Sequence, residues 1–328
     1  MSLAAVVVGC GFIGGSDIVQ ESGIQSHAAA WSVHPGTRLT GLCDPDPARL
    51  AAAAERWGPT VASADLDRVL SDCRPDIVSV ATPDATHAAV LERVLGHPGV
   101  RGVLVEKPLA LDRATGQRLA LLAQRRGIVV AVNYSRRYAP SHRALARWLE
   151  GRPIGTLEAI RGYYVGGLKH NGTHWIDLAR WLVGELTSVR GIGVVPRGAA
   201  DATIDLAFEF AGSGRGSLTG LSGASYSLFE MDLIGATGRV TIAESGQRFV
   251  TTQAAPSRRF PGFRELAPMP GPQGGLADLL LHAANDLVEA LATDRQPLGT
   301  IADALAALSI AEDAIVSAGM GSQSCRSQ

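Results

Sequence analysis

The chain has 328 residues, of which 46% are hydrophobic, 19% charged and 5% aromatic. At roughly 150 residues per domain, this length predicts about two domains with sizeable cores. Lys and Arg number 30 against 31 for Asp and Glu, which gives a formal net charge of −1. That balance argues against nucleic acid as the main partner and against an electrostatic membrane anchor.

The distribution of apolar residues and cysteines predicts a cytoplasmic protein. No apolar run approaches the roughly 20 residues that a spanning helix needs, so we expect no membrane partner. The first residues, Met1–Leu3, lead directly into an apolar strand without a charged segment, which predicts no secretory signal. The cysteines lack CxxC spacing, which favours reduced thiols over disulfides or zinc ligands. They are Cys10, Cys43, Cys73 and Cys325.

The first part of the chain alternates between short apolar strands and helices. Strands are predicted at Leu3–Val8, Arg38–Cys43, Val61, Asp76–Ala81, Gly102–Val105 and Ile128–Val132. Helices are predicted at Ala48–Trp57, at Asp65–Leu70, from the segment with His87 as far as Leu95, and at Asp112–Arg126. Such alternation with continuously apolar strands is typical of a parallel sheet covered on both faces. We therefore predict an α/β Rossmann domain, with a doubly wound parallel sheet, over residues 1–132.

After residue 132 the strands alternate between apolar and polar positions and helices are fewer. Helices are predicted at Ser141–Glu150, Gly172–Val183, Leu276–Ala292 and Ile301–Ala318. Strands are predicted at Thr156–Val165, Ser188–Val195, Ala202–Phe210, Gly216–Leu221, Phe229–Ile234, Arg239–Ile242 and Arg248–Thr252. Ala255–Gly275 is predicted to be a long loop and Gly319–Gln328 a frayed tail. Residues 133–328 are therefore predicted to form an α+β domain with an open, mainly antiparallel sheet.

A glycine-rich turn follows the first strand. Gly9, Gly11 and Gly14 form a GxGxxG pattern that opens a helix. The first glycine allows a tight turn, the second lets backbone approach a pyrophosphate, and the third allows close helix–strand packing. The pyrophosphate would lie on the helix N-terminus, where free N–H groups favour an anion. The alternative interpretation is that these glycines bind no ligand and only allow the chain to turn.

An acidic residue in the expected position completes this motif. Asp44 ends the second strand, where its carboxylate would accept hydrogen bonds from the adenosine ribose and repel a 2′-phosphate. We therefore expect NAD rather than NADP, and Arg49 is the nearest cation that would favour NADP. The interval from Gly14 to Asp44 is 30 residues, longer than the usual 20 or so. We interpret His27–Gly36 as an insertion or a lengthened helix end.

Further motifs extend the interpretation beyond a generic dinucleotide-binding domain. They are Ala81-Thr82-Pro83 with His87, Glu106-Lys107-Pro108, Asn133–Tyr138, and Gly166-Gly167 with Gly172–Asp177. Together with the glycine turn they resemble the glucose–fructose oxidoreductase, inositol dehydrogenase and rhizopine catabolism protein family, usually called Gfo/Idh/MocA, over nearly the whole chain. The resemblance implies an NAD(P)-dependent oxidoreductase. It would transfer a hydride to or from a secondary hydroxyl or keto group of a sugar, cyclitol or nucleotide-sugar derivative.

The glycine motif and the resemblance together assign residues to three roles. Catalysis is expected from Lys107, His174 and His170. Cofactor contacts are expected from Gly9, Gly11, Phe12, Ile13, Gly14, Asp44, Ala81, Thr82, Pro83, His87, Glu106, Lys107, Asn133 and Arg136. Substrate contacts are expected from Lys107, Lys169, His170, Asn171, His174 and Asp177. No metal is expected.

The residue types suit alcohol oxidation. The imidazole of His174 titrates near neutrality and suits general acid–base work. The Lys107 ammonium would hold the hydroxyl and stabilise a developing alkoxide. The Lys107–Pro108 bond can be cis at modest cost, which would turn the lysine toward the nicotinamide. Family members usually carry an aspartate where this chain has His170. An imidazole at position 170 cannot orient His174 as a carboxylate would. The route of the proton therefore stays open.

Several alternatives remain at this point. A non-catalytic NAD-binding sensor and a reductase of a non-sugar carbonyl or imine would use the same fold. His170 and His174 have the i, i+4 spacing of zinc ligands, but no third histidine or cysteine lies near them. Lys169, Arg136 and Arg137 would meet a phosphate or would be ordinary surface cations.

The resemblance also implies that the second domain carries the substrate side and often the subunit interface. The strands Ala202–Phe210 and Gly216–Leu221 have apolar residues on one face. We expect the few C-terminal helices to leave part of that face uncovered, which favours a homodimer or homotetramer.

Overall fold

The computed structural model describes residues 2–16, 19–20, 23–195, 201–210, 214–223 and 225–319. The chain divides into two compact units. One comprises Met1–Ala139 with Ala277–Ala306, and the other Pro140–Leu276 with Ala307–Gln328. The predicted tail Gly319–Gln328 and Cys325 lie outside the described residues, except for Gly319.

The first unit contains an alternation of strands and helices close to the predicted one. In chain order the elements are β1 (Leu3–Val8), α1 (Phe12–Gly15), β2 (Val19–Gln20), β3 (Gly23–Ile24), α2 (His27–Val33), β4 (Thr37–Cys43), α3 (Pro47–Trp57), β5 (Val61–Ser63), α4 (Leu66–Cys73), β6 (Ile77–Val80), α5 (Asp84–Gly96), β7 (Gly102–Val105), α6 (Arg113–Arg126), β8 (Val129–Val132) and α7 (Ser135–Tyr138). Local signals set several boundaries. Asp112 caps α6 by accepting a hydrogen bond from the Thr115 N–H, and Gly127 ends α6 in the left-handed region.

Six of these strands form a parallel sheet in the order β5-β4-β1-β6-β7-β8. The strands β6 and β7 are buried at every position, as expected for a sheet covered on both faces. This is the strand order of the Rossmann fold, and the order reverses between β1 and β6. The Rossmann prediction is confirmed, and a ligand is expected at the carboxyl ends of the strands on either side of that reversal.

The extra residues after the glycine turn lie elsewhere than predicted. The helix that opens at the turn ends at Gly15, and helical structure resumes only at His27. Ser26 caps α2 by accepting a hydrogen bond from the Ala29 N–H. The hairpin of β2 and β3 lies between the helices, and Ile24 N–H donates to Asp278 Oδ1 at 2.7 Å. The additional residues therefore lie between α1 and α2. His27–Val33, which was interpreted as part of the insertion, forms the helix α2.

The second unit is built on a large sheet, and the elements after residue 139 are divided between the two units. The remaining elements are α8 (Pro140–Glu150), β9 (Leu157–Val165), α9 (Thr173–Val183), β10 (Leu186–Val194), β11 (Ile204–Phe210), β12 (Gly214–Leu221), β13 (Glu230–Gly235), β14 (Gly238–Ala243), β15 (Arg248–Pro256), β16 (Arg264–Pro268), α10 (Leu279–Thr293) and α11 (Ile301–Ser317). Eight strands pair in the order β10-β11-β12-β9-β13-β14-β15-β16, and all pairs are antiparallel except β9 with β12. This confirms the predicted mainly antiparallel sheet.

Two details of the second half differ from prediction. The predicted loop Ala255–Gly275 contains β16, which pairs with β15 at the sheet edge. Its sequence, Arg-Glu-Leu-Ala-Pro, is exposed and lacks apolar alternation, so no periodicity marked it as a strand. The helix α10 belongs to the first unit rather than to the predicted second domain, because its apolar side packs on α2, β7 and β8.

The apolar side of β11 and β12 is covered, contrary to expectation. Ile204, Leu206, Phe208, Phe210 and Leu218 are all at most 4% exposed. The uncovered apolar face that favoured self-association is therefore absent from these strands.

Among the described residues, no helix is both long and apolar enough to cross a membrane. The three described cysteines, Cys10, Cys43 and Cys73, form no disulfide. Burial raises the pKa of Cys10 to about 12 and that of Cys43 to about 11.

Candidate active site

A cleft of about 500 Å³ lies at the carboxyl ends of β1, β4 and β6 in the first unit. This volume is within the usual range for small-molecule sites. Six residues that were predicted to contact the cofactor line it: Gly9, Gly11, Asp44, Ala81, Thr82 and Pro83. The cleft coincides with the reversal of strand order, where ligands bind in open α/β sheets.

The three glycines of the turn have different surroundings. Gly9 has a φ of +96°, a conformation that side chains rarely adopt. Gly14 has no room for a Cβ, which would collide with the carbonyl oxygen of Gly9. A Cβ on Gly11, in contrast, would meet no atom within 4 Å. The outer glycines therefore shape the turn, while Gly11 leaves space beside α1 for a ligand. The helix has only four residues, so its dipole contributes little and its N–H groups are the main anion donors.

Asp44 is buried and already makes two hydrogen bonds. Its Oδ2 accepts from the backbone N–H of Cys10 at 2.6 Å, and its Oδ1 accepts from that of Asp46 at 2.8 Å. A carboxylate has about four acceptor sites, so two remain for ribose hydroxyls. The neighbouring Arg49 is paired with Asp46, with 3.4 Å between Nε and Oδ2. The acidic residue thus lies in the cleft in a fixed orientation.

Two buried polar atoms indicate where a ligand would bind. The Thr82 hydroxyl and Asn133 Oδ1 have no hydrogen-bond partner among the described residues. An unsatisfied buried polar group costs about 1–3 kcal/mol, so a bound ligand that supplied partners would stabilise the site. Together with the open space at Gly11 and the oriented Asp44, these atoms fit a dinucleotide cofactor.

The Glu106-Lys107-Pro108 motif lies at the same sheet edge. In the ladder, Val80 pairs with Val105 and Val105 with Val132, so the residues that follow β6, β7 and β8 lie side by side. The Lys107–Pro108 bond is cis, and Lys107 is buried. Glu106 follows β7 directly, and its backbone N–H donates to Val80 O at 2.9 Å.

The Glu106 carboxylate is bound by two donors. Its Oε1 accepts from Asn133 Nδ2 at 2.6 Å and from His27 Nε2 at 3.1 Å. Burial alone would raise the pKa of Glu106, but the hydrogen bonds from His27 and Asn133 and the charge of Lys107 oppose this, and the pKa lies below its ordinary value. Glu106 is therefore ionised at neutral pH. Asn133, predicted as a cofactor contact, also holds this carboxylate.

His27 is a residue of this site that the sequence did not reveal. It is fully buried, and its Nδ1 lies 2.9 Å from Ser79 Oγ, which also accepts a 2.7 Å hydrogen bond from Trp31 Nε1. The spacing of His27 and Trp31 in an alanine-rich run is a weak helical signal. It does not indicate a partner 79 positions away.

His87, which was predicted to contact the cofactor, bridges two backbone segments at the edge of the cleft. It is fully buried, and its Nδ1 lies 2.7 Å from Pro108 O and its Nε2 2.5 Å from Thr82 O. Both ring nitrogens are engaged, so the ring bridges the segments that follow β6 and β7. Neither ring nitrogen is left for a ligand.

The two arginines after β8 differ in their surroundings. Burial lowers the pKa of Arg136 to about 10, which leaves its guanidinium cationic at neutral pH. Arg137 is buried in an ion pair with Asp303, 2.9 Å between NH2 and Oδ1, and is neither a surface cation nor a phosphate ligand in this arrangement.

In the second unit, the predicted substrate residues lie on two adjoining helical segments. Leu168–Gly172 form a π-helical turn, and α9 begins at Thr173. Asp201 fixes the turn, because its two oxygens accept from the backbone N–H groups of Lys169 at 3.0 Å and His170 at 2.8 Å. Asp201 was not identified from the sequence. His170 therefore precedes the α-helix and does not continue its i, i+4 stripe.

On α9 itself, His174 is half-buried and Asp177 is 2% exposed. Trp175 is buried in the core, and its Nε1 donates to Glu230 O at 2.9 Å. Over the part of the chain that the structure describes, no cluster of three or more His, Cys, Asp or Glu side chains is arranged to hold a metal ion.

The sheet order, the glycine turn and the oriented Asp44 together define a dinucleotide-binding protein of the Rossmann class with a second, α+β unit. Comparison with known proteins makes this more specific. Residues 3–134 match the oxidoreductase family described as Gfo/Idh/MocA with an NAD-binding Rossmann fold, and residues 146–241 match its C-terminal domain.

Individual relatives agree with this family. An inositol 2-dehydrogenase of Rubrobacter xylanophilus is 32% identical over 69% of each chain, whereas the match spans about half the length of other curated relatives. The crystal structure of GenD2 from gentamicin A biosynthesis, in complex with NAD, shows 26% identity, 98% coverage of this chain, 95% of that chain and a TM-score of 0.76. The structure of a levoglucosan dehydrogenase in complex with NADH shows 19% identity, 97% coverage of each chain and a TM-score of 0.80. The chain belongs to the Gfo/Idh/MocA family, and it is an oxidoreductase with an NAD-binding domain.

Proposed function

We propose that the protein oxidises a secondary hydroxyl of a sugar or cyclitol with NAD, or reduces the corresponding ketone with NADH. Nucleotide-sugar derivatives belong to the same class of candidate substrates. The observation that carries the proposal is the juxtaposition, at one sheet edge, of an NAD-type cleft and the buried Glu106-Lys107-Pro108 motif. Relatives named for inositol, D-apiose and levoglucosan support the substrate class.

In this proposal, the residues that would hold NAD are the glycines of the turn, Asp44 at the ribose, and Thr82 and Asn133 through their unpaired oxygens. Bound NAD supplies the hydride acceptor. Lys107 stabilises the developing alkoxide by its positive charge, since a cation favours the oxyanion more than the alcohol. His174 takes the hydroxyl proton because imidazole is half-titrated near neutral pH.

The proposal also assigns roles to the remaining predicted residues. His170 orients the substrate from the π-helical turn, together with Lys169 and Asn171, because Asp201 fixes the backbone of that turn. For Asp177, which is buried on α9, two roles stay open: a hydrogen bond that orients the helix, or a direct contact with the substrate.

A substrate panel tests the proposal. Purified protein with NAD⁺ is assayed for NADH absorbance against inositols, D-apiose, levoglucosan, simple hexoses and UDP-sugars, with Lys107→Met as the matched control. Turnover of one class that is lost in Lys107→Met supports the proposal. Tight NADH binding without turnover of any polyol, or of the ketones in reverse, would indicate the non-catalytic sensor. Turnover confined to imines or non-sugar carbonyls would place the protein in a different reductase class.

We also propose that the protein is a cytoplasmic homo-oligomer that associates through the outer face of the second unit's sheet. The support is a pair of exposed apolar side chains on strands of this sheet, Tyr163 at 41% and Ile192 at 58%. Sedimentation at micromolar concentration tests this, and a monomeric mass would contradict it.

A further inference from the structure

The buried chain Trp31–Ser79–His27–Glu106 joins the resumed helix α2 to the motif that carries Lys107. All four side chains are buried, and three contacts connect them at 2.7, 2.9 and 3.1 Å. Nothing in the proposed reaction uses His27. A fully buried imidazole in contact with an ionised carboxylate nevertheless calls for an explanation.

The direction of each hydrogen bond follows from the groups at the two ends. The indole N–H of Trp31 can only donate, so Ser79 Oγ accepts it. The ionised Glu106 carboxylate can only accept, so His27 Nε2 carries a proton. The Ser79 hydroxyl then donates to His27 Nδ1, which must be unprotonated. Every polar hydrogen in the chain has an acceptor only when His27 is neutral and in its Nε2–H tautomer.

This arrangement cannot conduct a proton away from the reaction. The hydrogen-bonded series ends at Trp31, whose indole does not accept a proton, and all four of its side chains are buried. The chain therefore holds Glu106 in place. Asn133 binds the same oxygen, Oε1, from the end of β8, so two donors from different elements fix one side of the carboxylate.

We propose that His27 is a positioning residue: as a neutral Nε2–H imidazole it holds the Glu106 carboxylate, and that fixed negative charge keeps the neighbouring Lys107 ammonium protonated and oriented. The proposal rests on the proposed function in one respect only: the proposed reaction uses the positive charge of Lys107 to stabilise the alkoxide. Among the residues that the structure describes, the charged and titratable groups that act on Glu106 are His27 on α2 and Lys107 on its own segment, and Asn133 adds a neutral donor.

The tautomer is tested in the unmodified protein. The chain has eight histidines, and ¹⁵N-histidine labelling with the His27→Gln spectrum as reference assigns the His27 ring. At pH 7.5 we expect one protonated nitrogen, Nε2, and one unprotonated nitrogen, Nδ1. A doubly protonated ring or an Nδ1–H tautomer would overturn the proposal.

The effect on Lys107 is tested by competitive labelling of amines with acetic anhydride over a pH series, read by mass spectrometry. Glu106→Gln removes the charge and should lower the labelling midpoint of Lys107 by about one pH unit. His27→Leu removes the donor and should shift it in the same direction by less. His27→Gln restores a donor amide and should leave it near the wild-type value.

Equal midpoints in all four proteins would overturn the proposal, as would a shift in His27→Gln as large as that in His27→Leu. If His27→Leu does not fold, the comparison of wild type, Glu106→Gln and His27→Gln with the tautomer measurement still decides. Neither readout requires turnover, so failure of this proposal is distinguishable from failure of the substrate panel.

Discussion

The carboxylate of Asp44 accepts a hydrogen bond from the backbone N–H of Cys10 at 2.6 Å, which ties the end of β4 to the glycine turn after β1. The parallel register that pairs Val8 with Cys43 brings the two segments together. The residue expected to select the cofactor therefore also fixes the turn that holds it. Substitution at this position should affect both functions.

Replacing Asp44 with serine should weaken NADH binding at least tenfold and reduce the preference for NAD over NADP. The variant loses ribose acceptors, the negative charge that repels a 2′-phosphate, and part of the bond to Cys10. Fluorescence titration of NADH and NADPH measures both affinities. Arg49→Ala is the control for residual NADPH binding. Tighter NADPH than NADH binding by the wild-type protein would contradict the assignment of NAD.

Two glycines of one turn should respond differently to alanine. Gly14→Ala places a Cβ against the Gly9 carbonyl, so we expect a lower Tm together with lost NADH binding. Gly11→Ala has space for its methyl group, so we expect a near wild-type Tm with weakened NADH binding. Thermal melts and NADH titrations of both variants check this. Unchanged affinity in Gly11→Ala would show that the space beside Gly11 is not used by the cofactor.

The Glu106 network should make stability depend on acid pH. Because folding lowers the pKa of Glu106 from its ordinary value of 4.5, its stabilising contribution is complete above that value and is lost as pH falls through the lower, folded value. We expect Glu106→Gln to have a lower Tm at pH 7 and a shallower decrease of Tm below about pH 4.5. Melts from pH 3 to 8 measure this, with Glu55→Gln, at an exposed position on α3, as control. Parallel curves for Glu106→Gln and wild type would contradict it.

Once a substrate is known, the three proposed polar residues should separate kinetically. Lys107→Met should retain NADH binding and lose about 10²-fold or more in kcat, because alkoxide stabilisation is removed. His174→Ala should lose about 10²–10⁴-fold, because the proton acceptor is removed. His170→Asn should raise KM more than it lowers kcat. Steady-state kinetics with NADH titrations measure these effects, and a loss of kcat in His170→Asn equal to that in His174→Ala would make His170 the base.

The sequence by itself determined the elements that depend on local pattern. Apolar runs, interrupted only by Ser79 in β6, marked β1, β6 and β7, because strands covered on both faces have no solvent-exposed polar side. Asp112 and Gly127 marked the ends of α6, because capping is a property of adjacent residues. The glycine turn and Asp44 followed from the requirements of a pyrophosphate and a ribose, and the family motifs identified Lys107 and His174.

Only the tertiary structure decided which distant residues meet. Strand register places Glu106 beside Asn133, and the resumption of helix at His27 brings an imidazole to a carboxylate 79 positions away. The same holds for Asp201, which fixes the π-helical turn from 31 or 32 positions away. It also holds for His87, whose ring nitrogens engage backbone carbonyls. Hydrophobic periodicity specifies which face of an element is buried but not which polar groups share that burial, because their pairing depends on register and on the path of the chain between elements.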